Sequence, residues 1–241
     1  MVTYNLSQLI DQGIITLGRG KVISKNELSE CVGDYPVYSS SATENGEFGR
    51  YGKYMFDDER ITWSIDGGGR FFHRIKHKYS VTNVCGWLLV NKPDLLNTKY
   101  LYYCLTYQWK FLTFDYTYKA HPSKIKDMYY VSIPPIDIQE QIVNELEGIE
   151  SIILKNSNSI PLYDELIKSR FIEMFGDPID NNYNFPKGII GDYIVDVRYG
   201  TSKPAKDGGN YQYLRMNNLT YDGYLDYENV KYIDATDEDI D

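Results

Sequence analysis

A long run of apolar residues at helical spacing constrains this chain more than any other feature. A β-like run precedes it, and Pro134 and Pro135 end that run because neither can donate a hydrogen bond to a strand ladder. Asp137 then stands where an N-cap is expected, with Glu140 three residues later, as in a capping box. The pattern predicts a helical segment over residues 137–176.

Glycine and proline mark the end and the middle of this segment. Gly176 followed by Pro178 is the usual order of residues past a helix end. Pro161 lies inside the apolar pattern, and an interior proline lacks the N–H group that the helix needs. We therefore expect a kink or two helices in tandem at Pro161.

The apolar positions form a seam with gaps of three and four residues, and Asn156 takes the place skipped in the one longer gap. The seam consists of Ile142, Leu146, Ile149, Ile153, Ile160, Tyr163, Ile167, Phe171 and Met174. Such near-heptad spacing predicts burial against a second helix, with Asn156 favouring one register. No other segment predicts a helix of similar length, so we expect a helix–helix interface with another chain. The alternative is that the stripe belongs to the core of its own domain.

Residues 1–136 have the pattern of a mixed α/β domain. One run, residues 97–112, has helical spacing, with Asn97 or Thr98 as its N-cap. A loop over residues 115–124 is expected before the last strand. The β-like runs are punctuated by Gly and Asn, and they are DYPVYSS (34–40), KYMF (53–56), RITWSI (60–65), RFFHRI (70–75) and VCGWLLV (84–90).

The last part of the chain repeats the first. The matching pairs are GRGK (18–21) with RYGT (198–201), GDYPVYSS (33–40) with GNYQYLRM (209–216), and residues 45–61 with residues 222–240. The repeat predicts a complete domain over 1–136, a helix over 137–176, and an incomplete copy of the first domain over 177–241. We expect the incomplete copy to be poorly packed or completed by another chain.

Three motifs resemble those of one family, the specificity (S) subunits of type I restriction–modification systems. IPPIDIQEQIVNELEGIE (133–150) resembles the motif that ends a target-recognition domain and opens a spacer helix. LYDELIKSRFIEMFGDP (162–178) resembles the end of that spacer, and YLRMNNLTYDGYLDYENVKYI (213–233) resembles the start of a second recognition domain. The expected fold is an α/β (mixed α+β) target-recognition domain, then a long spacer helix or coiled-coil segment, then a partial second recognition domain.

The resemblance implies a non-catalytic DNA-binding subunit. Two recognition domains would each read half of a bipartite target in double-stranded DNA, and the spacer helices would set the distance between them. The implied partners are a methyltransferase subunit that uses S-adenosylmethionine and a restriction subunit that uses ATP and Mg. A homodimer partner or a second specificity chain would pair with the spacer helix. We expect this chain to bind no cofactor and no metal itself.

Motifs of catalysis are absent from the sequence, which agrees with a reader of DNA. The one Pro-Pro pair, Pro134 and Pro135, lies outside any amine-methyltransferase loop motif, and neither Gly20-Lys21 nor Gly52-Lys53 belongs to a P-loop. Two alternatives remain open. The chain could be the recognition subunit of a system that fuses methyltransferase and nuclease, or a truncated, silent fragment that donates recognition domains by recombination.

The charge distribution favours the first part of the chain as the DNA-binding part. The net charge is −9, but residues 1–136 carry 16 Lys and Arg against 13 Asp and Glu, and the rest carry 9 against 21. The start of the chain lacks a signal-peptide pattern, no run is apolar enough for a membrane, and Cys31, Cys85 and Cys104 are scattered. We therefore expect a cytoplasmic protein with reduced thiols and no membrane partner.

Polar and basic residues in three segments are the predicted DNA contacts. Arg and Lys would bind phosphates or guanine, and hydroxyls and amides would bind base edges; the alternative for each segment is an ordinary surface loop. The candidates are Ser39, Ser40, Ser41, Asn45, Arg50, Tyr51 and Lys53 in the first segment, Gly68, Gly69, Arg70, Arg74, Lys76 and Lys78 in the second, and Lys119, His121 and Lys124 in the third. His73 and His77 have a spacing that suits a metal only on a helix, so we interpret them as surface histidines.

Overall fold

The structure is a computed structural model that describes residues 3–40, 44–114, 118–197, 200–201 and 203–236. The chain divides into two compact units, Met1–Lys168 and Ser169–Asp241. The first unit combines antiparallel strands with short helices, as the α/β pattern predicts. The domain boundaries after residues 136 and 176 stay predictions.

The helices and strands of the first unit alternate along the chain. The helices are α1 (Leu6–Asp11), α2 (Lys25–Glu30), α3 (Thr98–Trp109), α4 (Pro122–Met128) and α5 (Ile136–Phe175). The strands are β1 (Thr3–Asn5), β2 (Ile15–Arg19), β3 (Tyr35–Tyr38), β4 (Glu47–Tyr51), β5 (Arg60–Ser64), β6 (Phe71–Arg74), β7 (Ser80–Val81), β8 (Cys85–Val90) and β9 (Tyr130–Ser132).

The core lies on an antiparallel sheet with strand order β2-β8-β5-β6. Trp63 of β5 is fully buried at its centre, and its Nε1 donates to the carbonyl of Ala120 at 2.7 Å. A Cβ at Gly86 of β8 would lie 2.1 Å from the Trp63 ring, so only glycine fits there. Apolar side chains of α1, α3, α4 and the start of α5 cover this core, which makes the first unit a single packed body.

A smaller sheet, with order β4-β3-β7, packs beside the first through a second apolar cluster that contains Tyr38, Tyr79 and Cys85. Strand β3 pairs antiparallel with β4 and parallel with β7. Cys31, Cys85 and Cys104 are free thiols, and burial raises the pKa of Cys85 to about 12. Cys85 is therefore an inert core residue at neutral pH.

Helix α5 is continuous over 40 residues, including Pro161. The expectation of two helices in tandem is therefore wrong, since flanking turns hold the helix together where Pro161 leaves one bond unmade. The expected N-cap at Asp137 is also wrong: the helix begins at Ile136, and the Pro135 carbonyl accepts from the N–H groups of Ile138 and Gln139. Asp137 lies in the first turn, where its carboxylate suits the helix dipole.

The helix ends at Phe175, and Gly176 terminates it as predicted, because Gly176 has a φ of +71° and its N–H donates to the Ile172 carbonyl at 2.8 Å. Charged residues recur along α5. Among the described residues, no helix combines the length and apolarity that a membrane crossing requires.

Side-chain hydrogen bonds join the start of α5 to α3 and β9, within the first unit. Gln139 is fully buried, and its amide donates to the carbonyls of Leu95 and Pro134 and accepts from the N–H of Asn97, at 2.8 to 2.9 Å. Further along, Lys99 lies 3.0 Å from Glu147 and the Tyr103 hydroxyl donates to Glu150 at 2.8 Å. A similar amide, on Gln108, bonds both the N–H and the carbonyl of Tyr130 and so closes the outer edge of β9.

Three expectations for residues 1–136 fail in detail. Residues 53–56 are not a strand; the strand in this region is β4, which lies inside the segment expected to be a polar loop. The loop expected over residues 115–124 contains the start of α4, and its residues 115–117 lie outside the described residues. Helices α1 and α2 were also not predicted, whereas α3 begins after its predicted N-cap, Asn97.

The second unit contains one antiparallel strand pair, β10 (Tyr211–Tyr213) and β11 (Lys231–Ile233), among its described residues. Ile233 is its one buried large apolar side chain in the described part, and Val195, Met216 and Tyr221 are almost fully exposed. This unit therefore has little apolar core of its own. Residues 198–199 and 237–240 of the predicted repeat lie outside the described residues.

Candidate nucleic-acid interface

All three predicted DNA-binding segments meet at the carboxyl end of β5. The Ser64 hydroxyl donates to the Ser40 carbonyl at 2.8 Å, so the end of β5 contacts the first segment. The Ala120 N–H donates to the Ile65 carbonyl at 3.0 Å, so the third segment contacts the residue directly after β5. The second segment begins at the turn that follows Ile65. Residues 40, 65–70 and 120 are therefore neighbours in the fold, although they are far apart in the sequence.

Glycines shape the turn from β5 to β6. Gly68 and Gly69 have φ angles of +85° and +76°, a region that favours glycine. The Gly68 carbonyl accepts from Trp109 Nε1 at 2.7 Å, and a Cβ at Gly69 would lie 2.6 Å from the Phe114 ring. Gly69 is buried. Its expected role in a close approach to a phosphate is therefore corrected: it packs against Phe114.

Basic side chains surround this turn, and we call them, with the nearby serines, the turn group. Arg70 is exposed, with its guanidinium 5.4 Å from the Phe72 ring, and it lines an open cavity of about 580 Å³. Lys119 lies 3.0 Å from Asp66, and Lys124 lies 3.6 Å above the Tyr118 ring. The turn group consists of Ser39, Ser40, Arg70, Lys119, His121 and Lys124.

Two members of the turn group also have local structural roles. His121 is the N-cap of α4, where its Nδ1 accepts from the Ser123 N–H. The Ser39 hydroxyl lies 2.8 Å from that of Thr82, which ties the first segment to the residue directly after β7. These contacts hold the loop backbones in place while the arginine and lysine side chains remain at the surface.

A second basic cluster, the tyrosine group, lies on the smaller sheet and was mostly missed by the sequence analysis. The Lys78 ammonium lies 4.8 Å from the Tyr54 ring and 5.7 Å from the Tyr35 ring, and the two rings contact edge to face at 5.2 Å. Lys21, Lys53 and Tyr54 line a cavity of about 290 Å³. The tyrosine group consists of Lys21, Tyr35, Lys53, Tyr54 and Lys78. Lysine ammonium groups and tyrosine hydroxyls at a surface are suited to binding the phosphates of DNA.

Arg74 and Tyr51 lie inside the fold, so their expected DNA contacts are corrected. Arg74 is 2% exposed, stacks 3.6 Å over the Tyr38 ring, and donates to Thr62 Oγ1 and the Asn45 carbonyl. Burial lowers the pKa of Arg74. The Tyr51 side chain is buried, and its hydroxyl donates to Glu27 at 2.6 Å, which raises the pKa of Tyr51 to about 12.

The remaining candidates lie at the surface. Asn45 is exposed in the left-handed conformation, with a φ of +55°. Arg50 lies 3.1 Å from Glu47 and donates to the Asp34 carbonyl, so part of its charge is compensated. Lys76 is exposed after β6. Ser41 lies outside the described residues.

The two histidines of the second segment have separate partners. His73 Nε2 lies 2.5 Å from Glu59. His77 Nδ1 donates to the Ile75 carbonyl at 2.6 Å, and its Nε2 lies 3.1 Å from the Tyr38 hydroxyl. In the described ranges, no three His, Cys, Asp or Glu side chains cluster as a metal site would require.

The apolar seam of α5 is a second candidate surface. Ile142 and Leu146 are half-buried, and Ile142 packs against the core of the first unit, so the start of the seam belongs to its own domain. The positions that follow are exposed, and they are Ile149 (52%), Ile153 (59%), Ile160 (61%), Tyr163 (62%), Ile167 (65%), Phe171 (48%) and Met174 (58%), with Asn156 exposed among them. A row of exposed large apolar side chains on a charged helix is typical of a protein interface.

Comparisons with known proteins identify relatives by sequence. The family model for the type I restriction modification DNA specificity domain matches residues 3–162. The specificity subunit of the type I restriction enzyme MpnII from Mycoplasma pneumoniae is 32% identical over 161 residues, which are 65% of this chain and 48% of that protein. The chain spans about half the length of the first curated relatives it matches.

Solved structures share the fold. The crystal structure of the S subunit of a type I restriction-modification system from M. genitalium has a TM-score of 0.51 and 18% identity, over 72% of this chain and 45% of that one. A second structure, which concerns complex assembly and conformational transition of the type I system, has a TM-score of 0.52 and 16% identity, over 70% and 43%. These likenesses show a common architecture of strands, short helices and a long helix.

Proposed function

The chain belongs to the type I restriction–modification DNA specificity family, and on this premise we propose that it directs a methyltransferase to a bipartite sequence in double-stranded DNA. The observation that carries the proposal is that α5 leaves the recognition domain as one 40-residue helix whose apolar seam is exposed. A helix of this length spans about 60 Å, which is enough to separate two DNA half-sites by more than one turn of the duplex.

The first unit would contact DNA through the turn group and the tyrosine group. Lys119 and Lys124 are placed on loops and a short helix, where their ammonium groups can bind phosphates and set the register. Arg70 is the member best suited to base recognition, because a guanidinium can bind the two acceptors of guanine. The tyrosine group adds Tyr54, whose ring is 44% exposed beside Lys78.

The seam of α5 would pair with a second spacer helix. Its exposed residues recur at near-heptad spacing, which suits an antiparallel or parallel helix pair. The second helix belongs to another copy of this chain or to a second specificity chain. In a pair of copies, both recognition domains would read the same half-site.

The further partners follow from the family. A methyltransferase subunit would bind S-adenosylmethionine, and a restriction subunit would bind ATP and Mg; this chain would supply neither site and would not catalyse a reaction. The solved structure of similar fold that concerns type I complex assembly supports such an arrangement. DNA as a target places the proposed complex in the cytoplasm.

Expression with the methyltransferase subunit of the same system, followed by genome-wide mapping of methylated bases by single-molecule sequencing, tests the proposal. We expect a bipartite motif that disappears when this chain is deleted. A palindromic motif would mean that two copies pair, and an asymmetric motif would mean that a second specificity chain completes the complex. Methylation that persists unchanged without the chain would refute the proposal.

A further inference from the structure

The junction between the recognition domain and α5 is built on a single buried amide. Gln139 has no exposed surface, and its amide bonds three main-chain groups: the carbonyls of Leu95 and Pro134 and the N–H of Asn97. The backbone N–H of Gln139 donates to the Pro135 carbonyl. A buried amide that makes these bonds has one orientation, since any rotation leaves buried polar groups unpaired.

The three bonded groups lie in two different connecting segments. Leu95 and Asn97 immediately precede α3, and Pro134 follows β9. The amide therefore ties the first turn of α5 to both at one point. Two outer bridges, Lys99 to Glu147 and Tyr103 to Glu150, follow about two and three turns further along the helix. Contacts at three points along its length thus hold the start of α5 against the rest of the first unit.

The angle at this junction has a large effect at a distance. A helix of 40 residues is about 60 Å long, so a tilt of about 4° at its base displaces its far end by about 4 Å. That displacement exceeds one base-pair step of about 3.4 Å. A loosely held helix could therefore not define a spacer to a single base pair, whatever its own length.

We propose that Gln139 is a positioning residue that fixes the direction in which α5 leaves the recognition domain, and thereby the spacer length that the assembled complex accepts between its two half-sites. The outer bridges from Lys99 and Tyr103 assist it. This inference rests on the proposed function, because it presumes a bipartite target. It assigns spacer discrimination to the junction as well as to the length of the helix.

The test uses the full chain assembled with its methyltransferase subunit and a set of DNA targets. These targets carry the mapped half-sites with spacers of the natural length and of one base pair fewer or more. Gln139→Met keeps the side-chain volume and removes the amide. The matched control is Gln141→Met, since Gln141 is exposed and, within the described ranges, its side chain bonds only Glu145 on the same helix.

We expect wild type and Gln141→Met to methylate one spacer length. Gln139→Met should keep both half-site sequences while its preference for that spacer falls by about tenfold or more. A change of half-site sequence, or an unchanged spacer preference in a folded Gln139→Met protein, would overturn the inference. A purely structural role would lower the thermal midpoint without widening the set of accepted spacers.

A second variant covers the case in which Gln139→Met does not fold. Lys99→Met combined with Tyr103→Phe removes the outer bridges at the surface and leaves the core intact. This protein should also accept neighbouring spacers, and an unchanged preference would overturn the inference. If the wild-type chain directs no methylation at all, the proposed function itself fails and the inference falls with it.

Discussion

Arg70 precedes strand β6 and Arg74 is its last residue, and their guanidinium groups lie in opposite environments. Arg70 is exposed beside the turn, whereas Arg74 is buried over the Tyr38 ring. In a strand, residues at even spacing share one face, so the sequence alone assigns both arginines to the same side. The difference arises because Tyr38 and the backbone at Asn45, far away in the sequence, cover the end of that face.

Alanine substitutions at the two arginines should change different quantities: the free energy of unfolding for Arg74 and the affinity for DNA for Arg70. Arg74→Ala leaves Thr62 Oγ1 and the Asn45 carbonyl without their donor and opens a cavity under Tyr38, so the free energy of unfolding should fall by about 2–4 kcal/mol. Arg70→Ala should weaken DNA binding and leave unfolding nearly unchanged. Denaturant titration and binding isotherms measure the two effects. Equal stabilities of the two variants would contradict this assignment.

The tyrosine group makes a prediction about salt. Lys78→Ala should weaken binding to all DNA sequences alike, and it should reduce the slope of log affinity against log salt by about one, because one phosphate contact is lost. Binding isotherms over a range of salt concentrations measure the slope. Lys110→Ala, at an exposed position after α3 and outside both groups, is the matched control. An unaltered slope in Lys78→Ala would remove Lys78 from the interface.

Among the helices, length decided what the sequence could predict. Helix α3 and the long α5 have enough turns for a periodic pattern, and both are confirmed. Helices α1, α2 and α4 have six or seven residues, too few for periodicity. The sequence nevertheless contained their cap signals. Asn5 and Gln8 form the capping box of α1, the Ser24 hydroxyl accepts from the Glu27 N–H at the start of α2, and Pro122 is the first residue of α4.

Among the strands, long-range pairing decided the outcome. Residues 53–56 have strand-forming composition but bond irregularly, through Met55 and Phe56 to Tyr79. Strand β4 begins with Glu and contains Gly49, a poor local signal, yet it forms four residue pairs with β3. Local composition therefore mispredicted both runs. The surface that places three loops at the end of β5 likewise depends on pairing that no single segment encodes.

The seam of α5 makes a prediction about assembly. Ile149→Asp introduces a charge into the proposed helix–helix interface and should abolish pairing of the spacer helices. Leu154→Asp is the matched control, since Leu154 is 63% exposed and lies about 140° away around the helix. Light scattering of the assembled complex measures its mass. A complex of unchanged mass with Ile149→Asp would exclude the seam as the interface.

The protein as a whole contains buried tyrosines whose ionisation opposes folding. Tyr79 and Tyr129 are fully buried, and their hydroxyls have no hydrogen-bond partner among the described residues. Burial raises the pKa of both above the ordinary value of about 10. Below pH 10 both states hold the proton; above it, the unfolded chain releases the proton and the folded chain keeps it. Stability should therefore fall as pH rises above about 10.

Tyr129→Phe tests this linkage. At neutral pH the substitution should cost nothing or stabilise the fold slightly, because the buried hydroxyl is unpaired. Above pH 10 the loss of unfolding free energy per pH unit should be smaller than in wild type by about 1.4 kcal/mol. Denaturant titrations at several alkaline pH values measure the slope. Tyr107→Phe, at a position 66% exposed, is the control and should keep the wild-type slope.

The family could be predicted from three short motifs, and the family model confirms it. The motifs alone do not explain why these residue types stand at these positions, whereas the contacts in the fold do. The glutamine of the run IPPIDIQ is needed because it bonds three main-chain groups inside the first unit. The positions of the turn group and the tyrosine group could not be predicted from the motifs, since these positions depend on how two sheets pack.

Among the described residues, the side-chain hydrogen bonds of Gln139 are all with backbone atoms, and this has a consequence for modular engineering. Two carbonyl oxygens and one amide, at Leu95, Pro134 and Asn97, are all that this amide requires of the recognition domain. The loops proposed to contact DNA can then diverge while the backbone groups that hold the helix stay the same. A graft with new sequence preference should fit this helix where those three backbone groups superpose and where partners for Ile142, Glu147 and Glu150 are kept.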